Sequence, residues 1–520
     1  MRVGFRCVLT VLVAIAVFSI VNSAQVTTDP ARSELQLEFA DLLFSDERYW
    51  EAIPAYERAK QNASSEQLVR SVKGLLSSLL SVAEFGRAYQ EAQLLLKLRP
   101  SDAETRALYA DGFWSSGLFE EAESMYRNIL SDAPESIDAR DGLARSLATR
   151  NKLNAARNEA LAAIAQDPNR AKSYHTLGTI YRRLHRYQDA ADAYDKWEVR
   201  LSRDRKSRRA QRIQNDVKFL RSFGDRVPFE IVEETVPKAS STDGRNVVLR
   251  TATHVHVIPF SLRDKKVVVR GKVNGYGPMD LVIDTGAEQM VLSEKTALDV
   301  GVKKITQTLS AGVGDVGIRS LDLGRVDSLE VGSLKIQNLP GIIKSPPLTG
   351  LPASRVTDSF SPLAVGLSME VDYKNRQLIV ARQLPDRPAD IELPMRMNRL
   401  AVVRGVINQT HFKSFVVDTG GEELSISLTT ANELNMTPVR HIPLKVYGTS
   451  GWDLDAFLLP GVDLAFKNIA YNNFPVVVLN LHRPSALLGF ELGGIIGHSI
   501  LSKYRVAFDM EDSVLRFTEF

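Results

Sequence analysis

Two patterns of apolar positions divide the chain. From about Ala31 to Asp204, small and aromatic residues recur with a helical period. Alanines stand at Ala52, Ala88, Ala122, Ala156 and Ala190, in steps of 36, 34, 34 and 34 residues. Four residues after each come Tyr56, Ala92, Tyr126, Ala160 and Tyr194, and Pro100, Pro134 and Pro168 each follow an alanine by twelve. A period of this length is the mark of stacked helix pairs. Small residues let paired helices approach, tyrosines fill the space between pairs, and proline ends the second helix. From about Val247 the helical period stops. Short β-rich runs, such as Lys266-Val-Val-Val-Arg-Gly-Lys-Val-Asn274, alternate with glycine and asparagine turns. They predict an all-β region with few helices. The connector Leu384-Pro-Asp-Arg-Pro388 splits it into halves of similar length.

Those halves repeat each other at an offset of 134 residues. Val269-Arg270-Gly271 matches Val403-Arg404-Gly405, and Asp284-Thr285-Gly286 matches Asp418-Thr419-Gly420. Glu288 matches Glu422, Ser293 matches Ser427, and Ala297 matches Ala431. Further on, Asn338-Leu339-Pro340 answers Asn473-Phe474-Pro475, and Asp372 answers Asp509, so the offset drifts to 137 as loop insertions would make it. In each half a mostly apolar strand, Asp280–Ile283 or Ser414–Val417, delivers Asp-Thr-Gly at its end. A short helix is expected about nine residues later, capped by Ser293 or Ser427.

An ionisable residue placed straight after an apolar strand is costly to bury unless hydrogen bonded. Gly286 and Gly420 allow a tight loop whose backbone N–H groups reach the carboxylate. Thr285 and Thr419 are suited to bond across to the other loop. If the halves pair about a pseudo-twofold axis, Asp284 and Asp418 meet and share one proton. The ionised carboxylate then serves as general base on a water, and the protonated one polarises a scissile carbonyl and helps protonate the leaving amine.

On these motifs, residues from about 258 to 520 resemble the retropepsin-like branch of the pepsin-type aspartic peptidases. A lone Asp-Thr-Gly is a weak signal, but two copies in matching contexts are specific. Ile495-Ile496-Gly497 and the closing strand Tyr504–Phe508 complete the likeness. The resemblance implies duplicated β-barrel lobes, catalytic Asp284 and Asp418, and loop support from Thr285, Gly286, Thr419 and Gly420. It implies flaps over the cleft at Gly312–Gly317 and at Tyr447–Trp452, with Gly314, Tyr447 and Trp452 as candidate substrate contacts, although ordinary hairpin turns read the same way. It also implies substrate contacts from Glu288 and Glu422, for which a surface acid paired with a nearby arginine is the plain alternative. The N-terminal region resembles the tetratricopeptide repeat family, which implies a solenoid whose concave face binds peptide or protein, or else serves only as a scaffold.

Three departures stand out. Lobe 1 offers Ala364-Val365-Gly366 and reaches Asp372 six residues later, where lobe 2 takes twelve from Gly497 to Asp509. The first lobe is therefore expected to lack the helix that braces its catalytic loop. The arginine usual after the final glycine is replaced by His498-Ser499. Alanine or glycine, never serine, follows each Asp-Thr-Gly, so the pair is expected to ionise less readily and work best near about pH 5–6.

Arg2 and Arg6 before the apolar run Cys7–Val21, with small residues Ser23 and Ala24 after it, predict an export signal, or alternatively an uncleaved anchor. Its removal takes away the only cysteine and leaves 63 basic against 62 acidic residues. No thiol chemistry, disulfide or nucleic-acid affinity is then expected. No metal or cofactor is called for. The basic stretch Arg200, Arg203, Arg205, Lys206, Arg208, Arg209 and Arg212 reads as a solvated capping helix or as a patch for an anionic lipid or polymer. The expected layout is a signal at 1–24, an all-α solenoid of about five repeats at 31–204, a basic helix and linker at 205–257, and lobes at 258–384 and 389–520. The expected function is an exported aspartic endopeptidase acting on peptide or protein. The alternative is a peptide-binding protein that keeps the fold without turnover.

Overall fold

The structure, a computed structural model, describes residues 29–61, 63–201, 208–232, 254–345, 358–434, 436, 442–444, 446–448 and 450–520. The expected export signal lies outside them, as does much of the expected linker. No helix among the described residues is long and apolar enough to cross a membrane.

Eleven helices run between Pro30 and Arg221 among the described residues. The chain divides into two compact units, residues 1–100 and 101–520. The first unit contains the helices Pro30–Ser45, Tyr49–Gln61, Ser65–Ser81 and Phe85–Leu98. In both units the repeat alanines are fully buried. The tyrosines lie against glycines: a Cβ on Gly74, Gly142 or Gly178 would strike the ring of Tyr56, Tyr126 or Tyr194. Close helix approach is thus what the small residues supply. Pro100, Pro134 and Pro168 stand two residues past the helix ends Leu98, Asp132 and Gln166.

In the second unit seven helices lead directly into the β region. Their turns hold lobe 2. Glu491 N–H donates to Ser115 O at 2.8 Å and Ser414 Oγ to Gly117 O at 2.6 Å. Phe119 meets Phe490 edge-on at 4.9 Å. The next turn is tied by Ser513 Oγ to Arg150 O at 2.6 Å and Asn151 Nδ2 to Met510 O at 3.0 Å. The helix Arg208–Arg221 and the strand Glu230–Ile231, which pairs with Leu334–Lys344, carry the chain onto lobe 1.

The lobes share a sheet. Ser368–Asp372 of lobe 1 pairs antiparallel with Tyr504–Asp509 of lobe 2, and each is flanked by its lobe's next strand, Gln377–Ala381 or Val514–Glu519. Outer strands His256–Pro259 and Ile391–Asn398 extend the sheet on the two sides. This shared sheet relates the halves by an approximate twofold axis. In each half the strand before Asp-Thr-Gly, Tyr276–Ile283 or His411–Val417, runs parallel to a short strand from the end of that half, Ser359–Phe360 or Gly494–Ile496.

That pairing corrects the expectation for lobe 1. Asp418 N–H donates to Ile496 O at 2.9 Å, and Asp284 N–H donates to Phe360 O at 3.0 Å. The counterpart of Ile495-Ile496-Gly497 is therefore Ser359-Phe360-Ser361, not Ala364-Val365-Gly366. A short helix does stand there, the 3-10 turn Pro362–Val365, in the place that His498–Leu501 takes in lobe 2. Gly366 misled because it closes this turn at φ +81°, a conformation glycine adopts without strain.

Candidate active site

Apolar β strands bring both Asp-Thr-Gly loops to the seam between lobes. Ile283 and Val417, just before the aspartates, are fully buried. Each carboxylate folds back on its own loop: Gly286 N–H donates to Asp284 Oδ1 at 2.9 Å, and Gly420 N–H to Asp418 Oδ1 at 2.8 Å. The threonines cross over. Thr285 Oγ1 donates to Val417 O and Thr419 Oγ1 to Ile283 O, each at 2.6 Å. Each hydroxyl also accepts the other threonine's N–H, at 3.1 and 3.0 Å. Four bonds on buried residues therefore lock the loops together. The glycines are where the opposite acid fits: a Cβ on Gly286 would lie 2.7 Å from the Asp418 carboxylate, and one on Gly420 2.7 Å from Asp284 Oδ1.

Burial, and then the neighbouring charge of Asp284, push Asp418 up to about 7, against the Gly420 N–H that favours its ionised form. Tyr373 packs beside the pair, its phenol pushed up by burial and by Asp418. Its ring stands edge-on to His498 at 5.5 Å. Burial, then Lys265 and Arg376, hold His498 below the ordinary imidazole range.

The two Asp-Thr-Gly loops are braced unequally. In lobe 2, His498 N–H donates to Gly421 O at 2.9 Å, Ser499 N–H to Glu422 O at 3.0 Å, and Leu424 N–H to Ser499 Oγ at 3.1 Å. Ser499 and the backbone thus secure this loop without the missing arginine. In lobe 1 the place of His498 falls to Pro362, which has no N–H to give.

Glu288 pairs with Arg399 at 2.6 Å, and Arg399 Nη1 donates to Leu487 O at 2.7 Å. In lobe 2 the paired acid is not Glu422 but Glu423, which meets Lys265. Glu422 is half-buried. Lys265 and Arg399 stand 134 residues apart in matching hairpin turns, at φ +62° and +63°. Each reaches from its own lobe to the acid after the other lobe's Asp-Thr-Gly loop. Sequence reasoning missed this clamp, though two basic residues at the repeat offset were a usable signal.

The glycine-rich hairpins meet. Val446–Gly448 pairs with Gly451–Asp453, setting Tyr447 opposite Trp452 with ring centroids 5.1 Å apart. Ser450 N–H donates to Val313 O at 2.9 Å, Val316 N–H to Ser450 O at 3.0 Å, and Asp315 N–H to Trp452 O at 2.8 Å. Gly312 N–H adds a bond to Ser450 Oγ at 2.9 Å. Gly314 sits at φ +129° where a side chain would strike the Ser450 backbone. Among the described residues, no group of three or more His, Cys, Asp or Glu is placed to hold a metal ion.

Residues 269–352 and 403–496 match the family model described as aspartyl protease, and residues 113–181 match that of the tetratricopeptide repeat. No curated protein matches. Solved structures that match include a tetratricopeptide repeat protein of Thermus thermophilus. It is 15% identical over 36% of this chain and 98% of that one, with a TM-score of 0.31. YrrB, a tetratricopeptide repeat protein described as having an unusual peptide-binding site, is 17% identical over 35% of this chain and 89% of that one, with a TM-score of 0.23.

Proposed function

From a chain that carries an aspartyl protease domain in two segments behind tetratricopeptide repeats, we propose an exported aspartic endopeptidase whose repeats recruit protein. The observation that carries this reading is the reciprocal threonine lock, which holds two carboxylates at one seam. With Asp418 retaining the proton, its partner Asp284 carries the charge. Asp284 takes a proton from water as the water oxygen bonds to the scissile carbonyl carbon. Asp418 gives its proton to the carbonyl oxygen. Collapse of the tetrahedral adduct breaks the C–N bond: Asp284 gives its proton to the leaving amine while one hydroxyl of the adduct returns its proton to Asp418, which restores the starting pair. Uptake and release of protons balance, and the chemistry needs nothing beyond the two acids and water.

The test is the chain without residues 1–24, assayed on a peptide library with and without pepstatin. Pepstatin-sensitive cleavage is expected. Cleavage that persists unchanged in both Asp284→Asn and Asp418→Asn would assign the activity elsewhere. The non-hydrolytic alternative draws on the weaker bracing of lobe 1, where Pro362 has no N–H to give in the place of His498. Export is supported by the charged and apolar start of the chain. Fractionation of cells making the full chain tests it. Recruitment uses repeat surface other than the turns around Ser115 and Arg150, which lobe 2 already occupies.

We take the joined hairpin tips as the substrate-covering flap that the family resemblance implies. Gly314→Ala, which forces the tips apart, is expected to raise KM several-fold with a smaller effect on kcat. An unchanged KM would remove the tips from the cleft.

A further inference from the structure

The duplication exposes a difference in charge between the two lobes. In lobe 1, Arg319 begins the strand Arg319–Val331 and Lys344 ends the strand Leu334–Lys344. These strands are antiparallel, with Asp322 opposite Ile343. One step further sets Leu321 level with Lys344, so Arg319 is a diagonal neighbour of Lys344 on the same face. Lys344 is also level with Ser293, on the strand that follows the Asp284 loop. Its charge interacts with those of Arg319, Asp284 and Lys266, and that of Arg319 with Tyr447 of the other lobe's hairpin. Positive charge therefore runs from the carboxylate pair toward the flap.

Lobe 2 repeats this geometry without the charge. Phe457 lies opposite Val478 as Asp322 lies opposite Ile343, and Ser427 is level with Leu479 as Ser293 is with Lys344. At that offset of 135 residues, Arg319 and Lys344 become Leu454 and Leu479.

Lys344 is half-buried and, among the described residues, makes no hydrogen bond or ion pair. Among the described residues, the charged groups that act on it are Arg319, Asp284 and Lys266. Two acids on the neighbouring strands and loop are engaged elsewhere: Asp322 pairs with Lys304 at 2.8 Å, and Asp358 accepts from Ser293 N–H and Thr296 Oγ1. Burial, then Arg319, bring Lys344 down to about 8, against the pull of Asp284. An ammonium held out of water beside other cations is costly, and an anion arriving from solution relieves that cost.

We propose that Lys344, with Arg319 beside it, forms a subsite on the lobe 1 side of the cleft that takes an acidic side chain of the substrate, a selection lobe 2 does not make. This rests on the peptidase reading, so the experiment separates the two. Peptide pairs differing only by Glu or Gln at single positions around the scissile bond are cleaved by the wild type, Lys344→Met and Lys344→Arg. At one position the wild type is expected to favour Glu by about ten- to a hundredfold in kcat/KM, the range of a charge-assisted hydrogen bond. The preference should lie in KM, collapse to about one in Lys344→Met and persist in Lys344→Arg. It should fade below about pH 4.3, where glutamate takes up its proton. Equal cleavage of every pair by the wild type would overturn the subsite. So would a Lys344→Met enzyme that slows on both peptides with the ratio intact, which would place the lysine's effect on Asp284 instead. If the wild type cleaves nothing, the peptidase reading fails, and fluorescence anisotropy of labelled Glu and Gln peptides on Asp418→Asn protein decides the subsite. Equal affinities would overturn it.

Discussion

Asp418→Asn is expected to remove turnover while leaving a protein that outlasts the wild type above neutral pH. The lost chemistry follows from geometry. Asp418 is the acid that holds the shared proton, and an amide cannot pass it to the carbonyl oxygen. A positioned acid or base contributes about 10^2–10^4-fold, so kcat should fall at least about a hundredfold. Asp284→Asn should cost as much, and the double variant little more, because the pair acts as a unit. The gain in stability follows from the pKa. Burial and Asp284 hold Asp418 at about 7 in the folded chain, against about 3.9 for an ordinary aspartate. The folded state therefore binds the proton more tightly than the unfolded state. That contribution to stability is complete below about pH 4 and is lost as pH rises through about 7. Asparagine has no such proton to lose. Thermal unfolding of both proteins at pH 5 and pH 8 checks this: the wild type should lose more Tm between the two than the variant does. Activity should disappear over the same rise through about 7, since a fully ionised pair has no acid. Equal pH dependence of Tm in the two proteins would show that Asp418 does not carry the raised pKa.

The parts of this site that were legible in sequence are those with no freedom to vary. A carboxylate at the end of a buried strand demands glycine two residues on and a hydroxyl between, and two copies at one offset expose the pairing. The capping serines were legible for the same reason: Ser293 and Ser427 accept the N–H groups of Thr296 and Thr430 at 3.1 and 3.0 Å. Misreading arose where one residue type answers to two physical demands. Gly366 resembles the close-packed glycine at 497, but it is a left-handed cap, and the position equivalent to Gly497 is the buried Ser361. Lys265 and Arg399 escaped notice because a charged residue in a hairpin turn ordinarily faces water. Arg396 was harder still. Met395-Arg396-Met397 reads as an alternating strand with its charge outward, and nothing local reveals that the helix Phe119–Asp132 supplies acids to that face. Contacts between residues some 270 positions apart leave no periodic trace.

Arg396→Met is accordingly expected to be among the most destabilising single changes outside the site, by about 3–5 kcal/mol. Arg396 is 3% exposed and Glu123 is 5% exposed. The guanidinium meets Glu123 at 2.7 Å and Glu120 at 3.0 Å, and Nη1 also donates to Ser146 O at 3.3 Å. Burial pushes the Glu123 carboxyl up, but Arg396 first, then Arg127 and Arg150, bring it below the usual range. Arg127 and Arg150 lie about half in solvent, so neither replaces the buried guanidinium. Methionine fills the volume and leaves Glu123 charged and poorly matched in a site closed to water. The cost is therefore that of an uncompensated charge rather than of a lost surface pair. The depressed carboxyl fixes the pH sense: its stabilisation is present above about 4.3, the unfolded value, and is lost as pH falls through the folded one. Urea unfolding at pH 7 should show the full loss in Arg396→Met, and at pH 3 much less. Adding Glu123→Gln should restore most of it, since an amide can stay buried where a lone carboxylate cannot. A loss under about 0.5 kcal/mol at pH 7, the range of an ordinary surface substitution, would mean that the helices and lobe 2 do not depend on this pair. The edge contact of Phe119 on Phe490 and the turn bonds at Ser115 and Gly117 would then carry their union.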